Sequence, residues 1–94
     1  MTMAEARFPL GQTAATPGAL EALQAAGQNP AALLARHQSG DWGDLDEEDK
    51  QENEFSVTRR LRILSAYTLS TGVKLWVITE ADRSATTILL PSEY

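Results

Sequence analysis

Apolar and polar residues follow a helical pattern in the first half of this chain. Thr16 and Asn29 each stand directly before a proline, so a capping side chain precedes proline at the first helical position. Leucines and alanines recur at helical spacing after both starts, and Gly27 and Gly40 are placed to end the helices in a left-handed conformation. The pattern predicts two short helices that pack as a hairpin or a bent pair.

A third helix is predicted in the acidic stretch that follows. Asp44 and Asp46 are both placed to cap it, since each has another acidic residue three positions later. Almost no apolar residue lies between Leu45 and Phe55, so this helix is expected on the surface, held only at its two ends.

The last third of the chain has the pattern of strands. β-branched and aromatic runs cover residues 61–69, 73–79 and 85–90, and short polar turns separate them. Residues 8–15 are a further extended segment, broken by proline and glycine, and so an edge strand at best. We therefore predict one α+β domain over residues 1–94, with an N-terminal edge segment and three short helices packed on a C-terminal three-stranded antiparallel meander.

The middle strand of this meander is apolar on both faces. Val73, Leu75 and Val77 point to one side, and Trp76 and Ile78 point to the other. One face must meet the helices. The Trp76/Ile78 face is either wrapped by the rest of the chain or left open as a candidate surface for a homodimer or another partner.

The formal net charge of −5 is unevenly distributed. Residues 1–54 carry ten acidic and three basic side chains, whereas residues 55–94 carry three acidic and five basic ones. Such an acidic chain is poorly suited to non-specific nucleic-acid binding, which requires Lys and Arg against phosphates, but it suits a basic protein surface. A well-solvated acidic helix without any partner is the simpler alternative.

Composition excludes several classes of chemistry. The chain has no cysteine, so disulfides, thiol catalysis and thiolate-bound metals are excluded. The start, MTMAEARFPLG, lacks the pattern of a secretory signal, and no apolar run approaches the roughly 20 residues that a membrane-spanning helix needs. A cytoplasmic protein without membrane attachment is therefore expected.

The stretch HQSGDWGDLDEEDKQEN contains most of the candidate binding residues. Five candidates lie in this stretch, and two more lie at the polar turn before the last predicted strand. Together they are His37, Asp41, Trp42, Asp49, Asn53, Glu80 and Arg83. A small enzyme or metal site would be built around His37, Asp41 and Asp49. A structural role is the alternative, with His37 bonded near a helix end and the carboxylates capping the next helix. The calcium-binding EF-hand pattern fails, because its glycine position is occupied by an aspartate.

Two further features have a structural and a functional interpretation. Trp42 either anchors the acidic helix to the core or takes part in recognition. Arg59, Arg60 and Arg62 form a basic cluster that could bind nucleic acid, alone or with Arg83, or could instead neutralise the nearby carboxylates. No glycine-rich phosphate loop or catalytic triad order is present, so no catalytic residue, metal site or cofactor is predicted.

A resemblance to a known family rests on the string HQSGDWGDLDEEDKQEN, followed by RILSAY and KLWVITEADRSATTILLPSEY. With these strings the chain resembles a family of small uncharacterised bacterial proteins labelled plasmid-related. These proteins occur on plasmids, integrated elements and phages, and the resemblance covers nearly the whole chain. It implies a bacterial, cytoplasmic protein of the mobile gene pool, with a role in regulation, plasmid maintenance or interference with host defences. The matching residues are His37, Gly40, Asp41, Trp42, Gly43, Asp49, Asn53, Thr79, Glu80, Arg83, Thr86 and Pro91.

The leading hypothesis from the sequence is a non-enzymatic protein-interaction or regulatory factor. It would bind an unidentified protein partner through the acidic helix or through an open sheet face.

Overall fold

A computed structural model of the protein describes residues 5–94, and this part of the chain has an α+β fold with three α-helices and one four-stranded sheet. The elements in chain order are β1 (Gln12–Ala15), α1 (Pro17–Ala26), α2 (Pro30–Ser39), α3 (Glu47–Arg59), β2 (Ile63–Thr68), β3 (Lys74–Thr79), β4 (Ala85–Leu89) and a 3-10 helix (Pro91–Glu93).

The sheet contains the predicted meander and one strand more. Its strand order is β1-β4-β3-β2, and the pairs β2–β3 and β3–β4 are antiparallel, as predicted. β1 pairs with β4 in parallel, so the prediction of a three-stranded antiparallel sheet is wrong and the sheet is mixed. Backbone hydrogen bonds at both ends of β1 join this N-terminal segment to β4. The Gln12 N–H donates to the carbonyl of Ser84, and the Thr16 N–H donates to the carbonyl of Ile88.

The three predicted helix starts are present, each with a side-chain cap. Thr16 Oγ1 accepts from the Ala19 N–H at 3.1 Å, and Asn29 Oδ1 accepts from the Ala31 N–H at 2.9 Å. Of the two candidate caps for α3, Asp46 is the one used. Asp44 instead accepts a hydrogen bond from the hydroxyl of Thr68.

Helices α1 and α2 cover the inner face of the sheet, so called because it carries the main core. The buried residues of this core are Ala19, Leu23, Leu33, Tyr67, Leu69, Leu75, Val77 and Ile88. Leu20 of α1 is 45% exposed, because Ala19 and Leu23 are the residues of this helix that face the sheet.

The edge of β2 that pairs with no other strand is covered by a loop of the chain itself. The Asp44 N–H donates to the carbonyl of Ala66, and the Ala66 N–H donates to the carbonyl of Trp42. Gly43 lies so close to this edge that a Cβ would be 1.9 Å from the Ala66 oxygen, and its φ of +75° is left-handed. Only glycine fits there.

The outer face of the sheet is partly covered as well. Ile78 is buried and Trp76 is half-buried. The Tyr94 ring packs edge-on against Trp76 at a centroid distance of 5.6 Å, and its hydroxyl accepts a hydrogen bond from Arg62. The chain therefore wraps part of this face, and a homodimer through Trp76 and Ile78 stays a prediction.

Candidate functional site

His37 lies in the interior of the fold. It is one helical turn after Leu33 on the buried side of α2, and none of its surface is exposed. Phe8 and Trp42 enclose the imidazole, with ring centroids 5.2 and 6.0 Å from its own. The most chemically versatile side chain of the candidate site is therefore a core residue.

Both ring nitrogens of His37 are bonded to hydroxyl groups of the sheet. Nδ1 lies 2.6 Å from Ser65 Oγ on β2, and Nε2 lies 2.9 Å from Thr79 Oγ1 on β3. Thr79 Oγ1 lies 2.7 Å from Thr86 Oγ1 on β4, and Thr86 donates to the carbonyl of Leu10 at 2.8 Å. We call these four side chains the hydroxyl–imidazole chain.

The hydroxyl–imidazole chain ends at the carbonyl of Leu10, and this carbonyl fixes the direction of every hydrogen bond in the chain. A carbonyl oxygen only accepts, so Thr86 gives its one proton to Leu10 and Thr79 must donate to Thr86. Thr79 Oγ1 then accepts from the imidazole, so His37 carries its proton on Nε2, and Nδ1 accepts from Ser65. His37 is thus held as one neutral tautomer.

This environment opposes protonation of the imidazole. Burial, and to a smaller extent the charge of Arg83, lowers the pKa of His37 to about 4. A second ring proton would also meet the hydroxyl proton of Ser65. A buried imidazole with both nitrogens bonded has no atom free to take a proton from a substrate, so the geometry supports a structural role for His37.

Arg83 is a buried arginine that binds backbone carbonyls. Its Nη1 donates to Leu61 at 2.7 Å, Glu80 at 3.1 Å and Ala81 at 3.2 Å, and its Nη2 donates to Ser56 at 2.9 Å. Only 6% of the residue is exposed. The guanidinium therefore ties the end of α3 to the turn between β3 and β4, and it does not join the surface arginines, contrary to the alternative drawn from the sequence.

The remaining arginines of the basic cluster have separate surroundings. Arg62 pairs with Glu80 at 3.3 Å, and the guanidinium carbon of Arg59 lies 5.0 Å from the centroid of the Phe55 ring. Arg60 ends α3 in a left-handed conformation and is exposed. The described geometry therefore does not assemble the four arginines into one phosphate-binding patch.

Trp42 is an anchor between the core and α3. It is 4% exposed, and its Nε1–H donates to Glu54 at 2.9 Å. Arg7 forms a two-pronged ion pair with the same carboxylate, both distances being 2.8 Å. The hydrogen bonds from Arg7, and then from Trp42, lower the pKa of Glu54 below its usual value. The anchoring interpretation of Trp42 is the one that this geometry supports.

The other candidate residues lie in different places. Asp41 pairs with Arg36 at 2.6 Å on the surface, and the hydrogen bond from Arg36 lowers the pKa of the carboxyl. Asn53 is buried and makes two hydrogen bonds to the free edge of β2: its Nδ2 donates to the Leu64 carbonyl at 2.7 Å, and its Oδ1 accepts from the Leu64 N–H at 3.2 Å. Asp49 is exposed on the first turn of α3.

These positions do not form the enzyme or metal centre considered from the sequence. His37 is buried with its nitrogens occupied, while Asp41 and Asp49 face solvent. Within residues 5–94, no three His, Asp or Glu side chains are grouped closely enough to hold a metal ion. The same part of the chain has no helix of the length and hydropathy needed to cross a membrane.

The carboxylates of the chain divide into two groups. Seven of the thirteen accept hydrogen bonds from other groups of the protein: Asp41, Asp44, Asp46, Glu54, Glu80, Asp82 and Glu93. Six have no such partner in the described part of the chain: Glu5, Glu21, Glu47, Glu48, Asp49 and Glu52. Four of those six lie on α3, which makes its exposed side the largest concentration of unsatisfied charge.

Sequence reasoning missed most of the hydroxyl–imidazole chain. Ser65 was not considered, and Thr79 and Thr86 entered only through the family resemblance. Their signal was present, because Ser65, Thr79 and Thr86 occupy inward positions of strands whose other inward residues are apolar. A polar residue at such a position needs a buried partner, and His37 was the candidate with two bonding atoms.

No protein-family model matches the chain, and neither a curated protein nor a solved structure is detectably similar to it. The resemblance to the plasmid-related family therefore stays a prediction.

Proposed function

We propose that this protein is a non-enzymatic binding protein that uses the exposed face of α3 to contact a basic surface of another protein. The observation that carries the proposal is the division of the carboxylates. Most acidic side chains elsewhere bond to the protein's own groups, whereas Glu47, Glu48, Asp49 and Glu52 all face solvent and have no partner among the residues that the structure describes. Charges arranged in this way steer a complementary surface towards one face of the molecule.

An aromatic side chain lies in line with these charges. Glu48, Glu52, Phe55 and Arg59 follow one another at spacings of four, three and four residues, and so lie along one side of the helix. Half of the Phe55 surface is exposed. Aromatic residues are frequent anchors in protein interfaces, and a ring next to a charged stripe offers apolar area where the charges alone would not give affinity.

The helix that presents this face is fixed to the body of the protein. Asn53 binds the backbone of β2 on both sides of Leu64, and Arg83 binds the carbonyl of Ser56. A binding face held in place before association loses less conformational entropy when a partner is bound. The buried side of α3 thus supports recognition by its exposed side.

The family resemblance adds a biological setting to this proposal. The partner would be a cytoplasmic protein of a bacterial host or of its mobile elements, and the effect on it would be regulation or interference. The enzyme alternative receives no support from the site, because the only imidazole is inaccessible and neutral.

A comparison of two charge-reversed variants tests the proposal. Glu48→Lys/Glu52→Lys reverses two charges on the exposed face of α3. The matched control, Glu5→Lys/Glu21→Lys, reverses two carboxylates elsewhere that have no partner within residues 5–94. Each substitution adds two units of charge, so both variants go from −5 to −1. Tagged wild-type protein and both variants are used to capture proteins from bacterial lysate, and mass spectrometry quantifies the captured proteins.

The proposal expects a protein that the wild type and the control capture equally and that the α3 variant loses. Its capture should also weaken with added salt, because the contact is electrostatic. Equal capture by both variants would contradict a role for α3, and equal loss in both would point to net charge alone.

A further inference from the structure

The two edges of the sheet differ in what covers them. The edge of β2 is closed by Asn53 and by the segment from Trp42 to Asp44. The edge of β1 has no strand or side-chain clamp against it in the described part of the chain. Uncovered strand edges carry unpaired backbone groups, and natural proteins cover them or make them unattractive.

The free backbone groups of β1 can be identified. Gln12 and Thr16 direct their N–H groups to β4, so the alternate residues Thr13 and Ala15 direct their N–H and C=O groups away from the sheet. These groups can be paired in register only by another extended backbone. The strand carries no charged side chain, proline or bulge that would prevent such pairing.

A groove runs beside this edge. It has a volume of about 270 Å³ and lies between β1 and the beginning of α2. Thr13, Ala15, Pro30, Leu34 and Ile88 are among the residues that line it, and none of the lining side chains is charged. The groove can therefore accept small apolar side chains from a strand added to β1.

We propose that the occupant is β1 of a second copy of this chain, paired antiparallel about a two-fold axis at Ala14. In this register Thr13 faces Ala15 of the partner subunit, and by symmetry Ala15 faces Thr13 of the partner subunit. Each of these two pairs forms two backbone hydrogen bonds, so the interface has four. The Ala14 side chains oppose each other directly at the axis, where their small size allows close approach. The sheet becomes continuous over eight strands.

Charge favours a second copy at this edge over the edge of β2, where the acidic helix α3 lies. Two chains of net charge −5 repel each other, and the acidic helix α3 lies against β2, three interstrand spacings or about 14 Å from β1. Pairing through β1 therefore holds the two acidic helices at opposite ends of the joined sheet. On the inner side, the residue of α2 that is exposed and lines the groove beside β1 is the small Ala31.

The test is the oligomeric state of a matched pair of variants. Ala14→Lys puts two like charges directly opposite each other at the axis, whereas Ala25→Lys makes the same substitution at an exposed position of α1. Wild type and both variants are measured by sedimentation velocity up to about 1 mM, the upper range for weak specific association. Circular dichroism checks that both variants are folded.

The proposal expects wild type and Ala25→Lys to reach twice the monomer mass of 10.2 kDa and Ala14→Lys to remain monomeric. Amide hydrogen exchange at Thr13 and Ala15 should also slow as the wild-type concentration rises. A monomeric wild type, or a dimer that Ala14→Lys leaves intact, overturns the proposal. Slowed exchange at these amides only in the presence of an added extended peptide would do so too, by assigning the edge to a different partner.

Discussion

His37 donates from Nε2 to Thr79 Oγ1 across 2.9 Å, and both side chains are completely buried. The bond joins α2 to β3, and the chain of hydroxyls continues from Thr79 through Thr86 to the backbone at Leu10. A network of this kind stabilises a fold only if every group in it is satisfied, and in the described residues no buried side-chain polar atom lacks a partner. Among the described residues, the buried side-chain polar atoms at the centre of the molecule are therefore all engaged by the protein's own groups.

The first prediction concerns pH. The pKa of His37 is about 4 in the folded protein and near 6.5 when unfolded, so between these values the unfolded state binds more protons. The stabilising effect of the neutral imidazole is complete above about pH 6.5 and is lost as the pH falls towards 4. We expect the free energy of unfolding to drop by about 2 kcal/mol between about pH 7 and pH 5.

Urea titrations at these two pH values measure this effect. Asp41 and Glu54 also have lowered pKa values, but they affect stability at lower pH. The stabilisation that these carboxylates give is complete above their unfolded pKa near 4 and is lost only below it. His37→Gln serves as the control and should lose little stability over the same interval. A wild-type free energy that is equal at both pH values would contradict the assignment.

The second prediction tests the contribution of the hydroxyl–imidazole chain to stability. Thr79→Val keeps the shape of the side chain but removes the group that accepts from His37 and donates to Thr86. It should lower the free energy of unfolding by about 1–3 kcal/mol, the cost of leaving buried polar groups unpaired. Thr87→Val, on the half-exposed outer face of β4, should change it by less than about 0.5 kcal/mol. Similar values for the two variants would refute the network.

The third prediction concerns the attachment of α3. Asn53→Ala removes both hydrogen bonds to the edge of β2 and should cost about 1–3 kcal/mol. Gln51→Ala, two residues away on the exposed side, should be close to neutral. Hydrogen exchange of the Leu64 amide gives a local measure, because this N–H should lose protection in Asn53→Ala alone. Unchanged exchange there would show that the amide does not depend on Asn53.

The fourth prediction compares two arginines in left-handed conformations. Arg83 and Arg60 have φ angles of 62° and 55°, but only Arg83 is buried and bonded to backbone carbonyls. Arg83→Lys should cost about 1.5–3 kcal/mol, because an ammonium group cannot reproduce the spread of the guanidinium. Arg60→Lys should cost less than about 0.5 kcal/mol, since it retains the backbone conformation and the Arg60 side chain is exposed, with no hydrogen bond to the rest of the described chain. Thermal or urea unfolding of both variants decides the point, and an equal cost would mean that the carbonyl contacts of Arg83 contribute no more to stability than the exposed side chain of Arg60.

The local signals in the sequence predicted the elements well. Thr16 and Asn29 before their prolines start α1 and α2, and Gly40 ends α2, because capping and backbone freedom depend on adjacent residues. The antiparallel meander followed from short turns between alternating runs. The parallel pairing of β1 with β4 could not be predicted, because four residues contain no clear alternation and their partner lies about 70 positions away in the chain.

The roles of the candidate residues depended on contacts of the same long-range kind. The sequence indicates His37, Asn53 and Arg83 as candidate binding residues, but each is bonded to residues of other elements that one sequence does not identify. The acidic side of α3 was predicted from composition alone. What the structure adds is that Glu47, Glu48, Asp49 and Glu52 have no partner within residues 5–94, whereas most other carboxylates do.

The affinity of a captured partner for three forms of the protein tests the central claim most directly. Titration calorimetry with wild type, Glu48→Lys/Glu52→Lys and Glu5→Lys/Glu21→Lys compares Kd at equal net charge of the two variants. The account predicts binding weakened by about tenfold or more for the α3 variant and a Kd close to the wild-type value for the control. Equal Kd values for both variants would contradict a specific role for the acidic face of α3.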